Sequence, residues 1–146
     1  MVLIFLVFLI LLLLFNSKSK FLYTASLIYM WIIFGWNNKN PDKEIYEGRF
    51  YNYDQSWFNS ITEPLYTYTI LLFHNFHITF QESYVIVSLF FILVLAWYIR
   101  KTTTNRNTVL ALMIISIYAM IVVLFRTTYA ITFILIATYI LINYVL

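Results

Sequence analysis

From Thr108 to Leu146 the chain runs for 39 residues with a single charged side chain, Arg126. Such a stretch has no polar face to offer water, whereas a bilayer accepts apolar side chains on every side of a helix. One helix of that length would measure about 60 Å, against a hydrocarbon thickness of roughly 30 Å, so two spans are expected. They run from Val109 to Phe125 and from Tyr129 to Leu146, joined near Arg126-Thr-Thr, although neither Gly nor Pro marks the join. Composition points the same way: 63% of residues are hydrophobic and 10% charged, against about 25% charged in an average soluble domain. The expected class is an all-α integral membrane protein, one polytopic domain over residues 1–146.

The remaining apolar segments set the topology. Met1 to Phe15 carries no charge and continues into NSKSK, whose lysines can snorkel, so that about 20 residues cover the bilayer. It has neither a basic leader nor a small-residue cleavage signal, and reads as an uncleaved anchor with its N-terminus outside. Phe21 to Trp36 returns and ends in GWNN, an interfacial cluster. Lys18 and Lys20 mark one basic turn and Arg100, Lys101 and Arg106 another; between them Lys39, Lys43 and Arg49 are set against Asp42, Glu44, Glu47 and Asp54. By the positive-inside rule both basic turns are cytoplasmic and residues 37–62 form an external loop.

That orientation requires residues 64–99 to cross an odd number of times, and Phe80 to Ile99 is the crossing expected. Residues 63–79 then form an amphipathic helix in the outer interface, with a further short crossing as the alternative. On a helix Glu63, Thr67, His74 and His77 share an arc of about 80°, with Leu65, Tyr68, Leu72 and Phe76 opposite. Pro64 fits its first turn, where a missing amide hydrogen costs little. The expected architecture is thus about five transmembrane helices plus one external interfacial helix. Heavy use of Ile, Phe, Tyr, Asn and Lys hints at a low-GC bacterium, and the expected location is the bacterial cytoplasmic membrane.

Several chemistries find no support. The chain has no cysteine, so thiolate chemistry and disulfides are excluded. Its net charge of +3 comes from basic residues flanking apolar segments, where topology accounts for them, and no nucleic-acid partner is expected. GxGxxG, P-loop and GxSxG elements are absent. His74 and His77 with Glu63 would be a conceivable metal set, but polar-face histidines are the better reading, and no metal or other cofactor is expected.

Two features carry chemistry. Arg126 stands in an otherwise uncharged apolar stretch, where a charge is costly to keep; it either snorkels at a helix end or binds an anion. A guanidinium suits phosphate, because its planar fork of donors never deprotonates, and a diphosphate lipid head group would be a natural ligand. Five of the six carboxylates, Asp42, Glu44, Glu47, Asp54 and Glu63, fall within about two dozen residues. Most carboxylates in such a segment are simply solvated. Asp42 and Glu63 stand out because they flank Tyr46, Phe50, Tyr51, Tyr53, Trp57 and Phe58, aromatics that either pack on sugar rings or form an interfacial belt.

NSKSK after a short first span, the outward GWNNKNPDKEIYEGRF, the EPLY opening the next helix and the later FRTTYA together resemble the EpsG family, bacterial membrane proteins of exopolysaccharide and capsule synthesis similar in style to Wzy-type polymerases. Its DxxxYxxxF pattern is matched by Asp42, Tyr46 and Phe50, its EPxY by Glu63, Pro64 and Tyr66, and its RxxxA by Arg126 and Ala130. Many relatives carry an arginine shortly before the Asp motif, where this chain reads FGWNNKN. Relatives are also longer, so the chain is expected to be the N-terminal portion of a polymerase.

The resemblance implies a membrane glycosyltransferase that polymerises polyprenyl-diphosphate-linked oligosaccharides. Such chemistry needs a base for an acceptor hydroxyl and a cation for the departing diphosphate. The expected residues are Asp42, then Glu63, as base and Arg126 at the diphosphate, with Tyr46, Tyr66 and Trp57 against the substrate. Other membrane proteins of polysaccharide assembly are the expected partners. The rivals are a non-catalytic accessory subunit and a lipid-linked glycan transporter; no internal repeat supports the latter.

Overall fold

The computed structural model describes residues 2–16, 18–37, 43–52, 64–115 and 125–144, with side chains over 6–16, 18–37, 43–52, 66–115 and 128–143. Among the described residues all regular structure is helical: α1 Val2–Phe15, α2 Lys20–Gly35, α3 Lys43–Tyr51, α4 Pro64–Asn75, α5 Phe80–Thr102, α6 Arg106–Met113 and α7 Phe125–Tyr144. The all-α class is as expected. Of the five crossings, α5 alone meets both the length and the hydropathy of a membrane span among the described residues. The apolar helices Leu6–Phe15, Lys20–Gly35 and Thr128–Asn143 are shorter.

α5 is the axis of the molecule. It starts at Phe80 because Thr79 closes a reciprocal cap with Glu82: the Glu82 amide donates to Thr79 Oγ1 (3.3 Å) and the Thr79 amide donates to Glu82 Oε2 (2.8 Å). α2 lies antiparallel to it. Tyr23 at one end of α2 donates through its hydroxyl to the Ala96 carbonyl (3.2 Å), Trp31 Nε1 donates to Val85 O (3.2 Å), and Gln81 Nε2 donates to Gly35 O at the other end (2.7 Å). Between these bonds Phe34, fully buried, sets its ring edge-on to Tyr84 and Phe91 at 5.5 and 6.2 Å. α7 runs alongside α5, with Tyr139 4.4 Å from Trp97.

Hydroxylic side chains are buried on these helices among large apolar ones, and further large apolar side chains cover the outer faces. Ser26, Ser83, Ser88 and Thr132 are buried, each donating to a carbonyl one turn back in its own helix. Ile86, Leu89, Phe90 and Leu93 form an exposed apolar stripe along α5, and Phe133, Ile134, Leu141 and Ile142 do the same on α7. A helix that is apolar on its outer face as well as at its contacts, with buried hydroxyls bonded within the helix, suits lipid, where packing and local hydrogen bonds hold helices together.

Close approach of α2 and α5 requires a glycine. A methyl group on Gly35 would lie 3.0 Å from Ser88 Oγ and 3.4 Å from Val85 Cγ2, whereas one on Gly48 in α3 would meet nothing within 4 Å. Gly35→Val is therefore expected to destabilise the protein by about 1–3 kcal/mol through overpacking. Gly48→Ala should stabilise it by about 0.5–1 kcal/mol through lower unfolded-state entropy. Thermal unfolding of both variants in detergent checks the pair; equal melting temperatures would contradict the close approach.

The structure departs from expectation in three places. Residues 43–51, inside the expected external loop, form α3. Arg126-Thr-Thr lies within α7, so the join between the last two spans is not at those residues. The helix expected over 63–79 ends at Asn75, and its faces are reversed: Tyr66, Thr67, Ile70 and Phe73 are buried, while Tyr68, Leu72 and Phe76 are exposed. The arc that carries Thr67 and His74 faces protein and the apolar arc faces outward, the sense that lipid dictates.

Candidate functional site

Tyr46 and Phe50 lie four residues apart on one face of α3, and both are almost wholly buried. Phe50 stacks on the His74 ring at 4.8 Å and meets Phe80 edge-on at 5.6 Å. His74 Nε2 is also hydrogen-bonded to the Phe50 carbonyl. A carbonyl only accepts, so Nε2 is the donor in this bond. Tyr51 accepts the Phe80 amide through its hydroxyl oxygen (3.4 Å), and Lys43 Nζ donates to Gln81 Oε1 (3.2 Å). α3 is thereby fastened along the first turn of α5, which is in turn bonded to the end of α2.

The turn joining α4 to α5 is equally tight. His77 has a φ of 55°, its amide donates to His74 O (3.0 Å), and the Ile78 amide reaches back to Phe73 O (3.0 Å). This is a Schellman ending with histidine where glycine is usual. His77 is therefore off the helix, and it does not share a face with His74. Among the described residues no three or more His, Cys, Asp or Glu side chains cluster to hold a metal. His77→Gly is expected to relieve left-handed strain and add about 0.5–1 kcal/mol of stability. Denaturant unfolding measures that difference.

Tyrosines join the segments singled out from sequence. Tyr46 of α3 meets Tyr66 of α4 edge-on at 5.5 Å, and Tyr66 meets Tyr129 of α7 at 6.4 Å. Tyr129 also shares a side-chain hydrogen bond with Thr69 of α4. The Arg49 guanidinium sits 5.9 Å from the Tyr46 ring centre, within reach of a cation–π attraction. Three stretches separated along the chain, around residues 46, 66 and 129, thus meet at one end of the bundle. Arg126 lies on α7 three residues before Tyr129, with its backbone alone described. Asp42, Glu63 and Trp57 lie outside the described residues. Neither Tyr129 nor the His74 tie was expected; Tyr129 sits inside FRTTYA and was within reach of the motif, whereas the histidine's partner is a backbone atom with no sequence signal.

The same end holds a cavity of about 560 Å³ beside the α4–α5 turn, lined in part by Trp36, Phe76, His77, Gln81 and Glu82. At the opposite end the basic residues of the α1–α2 turn, of α5 and of α6 come together, since antiparallel α2 and α5 bring Lys20 beside Arg100. The protein is polarised: its described carboxylates, Glu44, Glu47 and Glu82, lie on α3 and at the start of α5, away from that basic cluster.

Among the described residues the structure is all helical, covers its outer faces with apolar side chains and separates its charges to two ends, a construction suited to a membrane. The family comparison identifies which kind: the chain belongs to the EpsG family, whose model matches residues 20–144. No curated protein and no solved structure matches it. Membership makes it a membrane protein related to exopolysaccharide synthesis.

Proposed function

We propose that the protein takes part in polymerising polyprenyl-diphosphate-linked glycans at the outer face of a bacterial cytoplasmic membrane. Asp42, or Glu63 in its place, takes the proton of an acceptor sugar hydroxyl. The hydroxyl oxygen then bonds to the anomeric carbon of the donor, the bond from that carbon to the diphosphate oxygen breaks, and the polyprenyl diphosphate leaves with the electron pair. Arg126 neutralises the charge that grows on the leaving group. Tyr46 and Tyr66, expected against the substrate, are buried and in this reading hold the segments of the site together, while Trp57 packs on the substrate.

The observation that supports it is the contact chain from Tyr46 through Tyr66 to Tyr129. It gathers the sequence segments of Asp42, Glu63 and Arg126 at one end, as a shared site requires. Five crossings with an external N-terminus put that end outside, and the grouping of Lys18, Lys20, Arg100 and Arg106 around one cavity supports this orientation.

Because the chain has no cysteine, single-cysteine labelling tests the arrangement cleanly. Asp42→Cys and Arg126→Cys should both react with a membrane-impermeant maleimide from outside, and Lys18→Cys only after permeabilisation. Labelling of positions 42 and 126 from opposite sides would mean that no common site exists.

A further inference from the structure

The basic end of the bundle contains a cavity that the reaction proposed above does not use. It has a volume of about 640 Å³ and lies between the α1–α2 turn, the last turn of α5 and the start of α6. Lys18, Lys20, Arg100 and Arg106 line it, and no carboxylate does. All six carboxylates of the chain fall between residues 42 and 82, and the three described ones are at the other end of the bundle. The four cations therefore face one another across a concave space with no acidic side chain lining it, an arrangement that attracts an anion.

Two further observations define the anion. Arg106 Nε is enclosed and has no hydrogen-bond partner among the described residues, although an enclosed guanidinium N–H normally finds one. α6 begins at Arg106 with Asn105 as its N-cap, and Asn105 makes no side-chain capping bond, so first-turn amides and the positive end of the helix add to the pull on a negative group. Forked guanidinium donors, ammonium charges and uncapped amides together match phosphate oxygens.

The walls decide what carries the phosphate. Leu27 and Ala96 contribute apolar surface, and the hydroxyl of Tyr23 is tied to the Ala96 carbonyl at 3.2 Å. Just outside, Phe21 is 83% exposed on the outer side of α2. A soluble anion gains nothing from such surroundings, whereas a lipid can place its phosphate among the cations and its chains along apolar helices. We propose that this cavity holds the head-group phosphate of an anionic phospholipid, with Arg100 and Arg106 as its principal donors and Lys18 and Lys20 at its mouth.

Native mass spectrometry of the full chain, delipidated and then supplied with phosphatidylglycerol or with phosphatidylcholine of the same acyl chains, tests this. Phosphatidylglycerol should be retained in preference. The double variant Arg100→Gln/Arg106→Gln should weaken its retention by about tenfold or more. Arg100→Lys/Arg106→Lys should fall between, and Lys101→Gln, outside the cavity, should match the wild type. If the double glutamine variant does not fold, Lys18→Gln/Lys20→Gln removes two of the same charges from exposed positions and should also lower retention. Equal retention of the two lipids, or retention unaffected by either double variant, overturns the proposal. Inorganic phosphate that displaces phosphatidylglycerol at comparable concentration also overturns it, because the site would then be one for a soluble anion.

Discussion

If the proposed reaction is right, cells in which this protein carries Arg126→Ala should accumulate single lipid-linked repeat units and make no long polymer. In the proposed reaction a diphosphate leaves with full negative charge, and removing one preorganised donor from such a site costs about two to three orders of magnitude in rate. Arg126→Lys should recover part of that loss, because an ammonium supplies charge without the planar fork that spans two phosphate oxygens. Asp42→Asn should be comparably severe, since an amide cannot accept the hydroxyl proton. Gel separation of polymer lengths reads all three variants. Chain lengths like the wild type from both Arg126→Ala and Asp42→Asn would end the catalytic assignment while leaving family membership untouched. The accessory-subunit reading would then be preferred.

Tyr66→Ala is the second change with a large consequence. The Tyr66 side chain is 7% exposed and lies between Tyr46 and Tyr129, so that its ring joins α3, α4 and α7. Truncation leaves a ring-sized void and removes two edge-to-face contacts, for a loss of about 3 kcal/mol or more. Tyr66→Phe keeps the rings in place and should lose much less. Melting temperature in detergent gives the stability difference. Polymer length gives the functional one: the alanine variant should lose extension and the phenylalanine variant largely keep it. A Tyr66→Ala protein as stable as the wild type would show that the three segments do not depend on this contact.

Much of the fold was legible because a bilayer makes unusually plain demands. The apolar runs predicted α1, α2 and α5 to within a residue or two of their N-terminal ends, and Phe80 was placed as the first residue of its helix. α4 was misjudged for a physical reason. An amphipathic arc was assumed to turn its polar side to water, but Thr67 is buried and His74 is bonded to the Phe50 carbonyl, while Tyr68, Leu72 and Phe76 point outward. A periodic pattern gives the two faces of a helix and not the solvent each one meets. α3 was hidden by its composition, since KEIYEGRFY contains Gly48 and charged residues at both ends. Packing of Tyr46 and Phe50 against α4 and α5 outweighs that local preference. Tyr46 and Tyr66, singled out through their motifs, lie in contact with each other. The basic cavity was missed because its charges were already accounted for by topology.

Asn107 imposes an order of events on biogenesis. Its side-chain amide donates to the carbonyls of Asn16 and of Ser19, the latter at 3.1 Å, across separations of 91 and 88 residues. When the ribosome has released the first hairpin, those carbonyls have only the Ser19 and Tyr23 amides as donors (3.3 and 3.2 Å), and the second donor that ties the turn to α6 has not been translated. We therefore expect α1 and α2 to enter the bilayer as a loosely held pair, clamped only once α6 arrives. Nascent chains arrested before residue 107 should show the turn at residues 16–19 open to protease, and chains arrested well beyond it should show it closed; early protection would mean that the hairpin matures by itself.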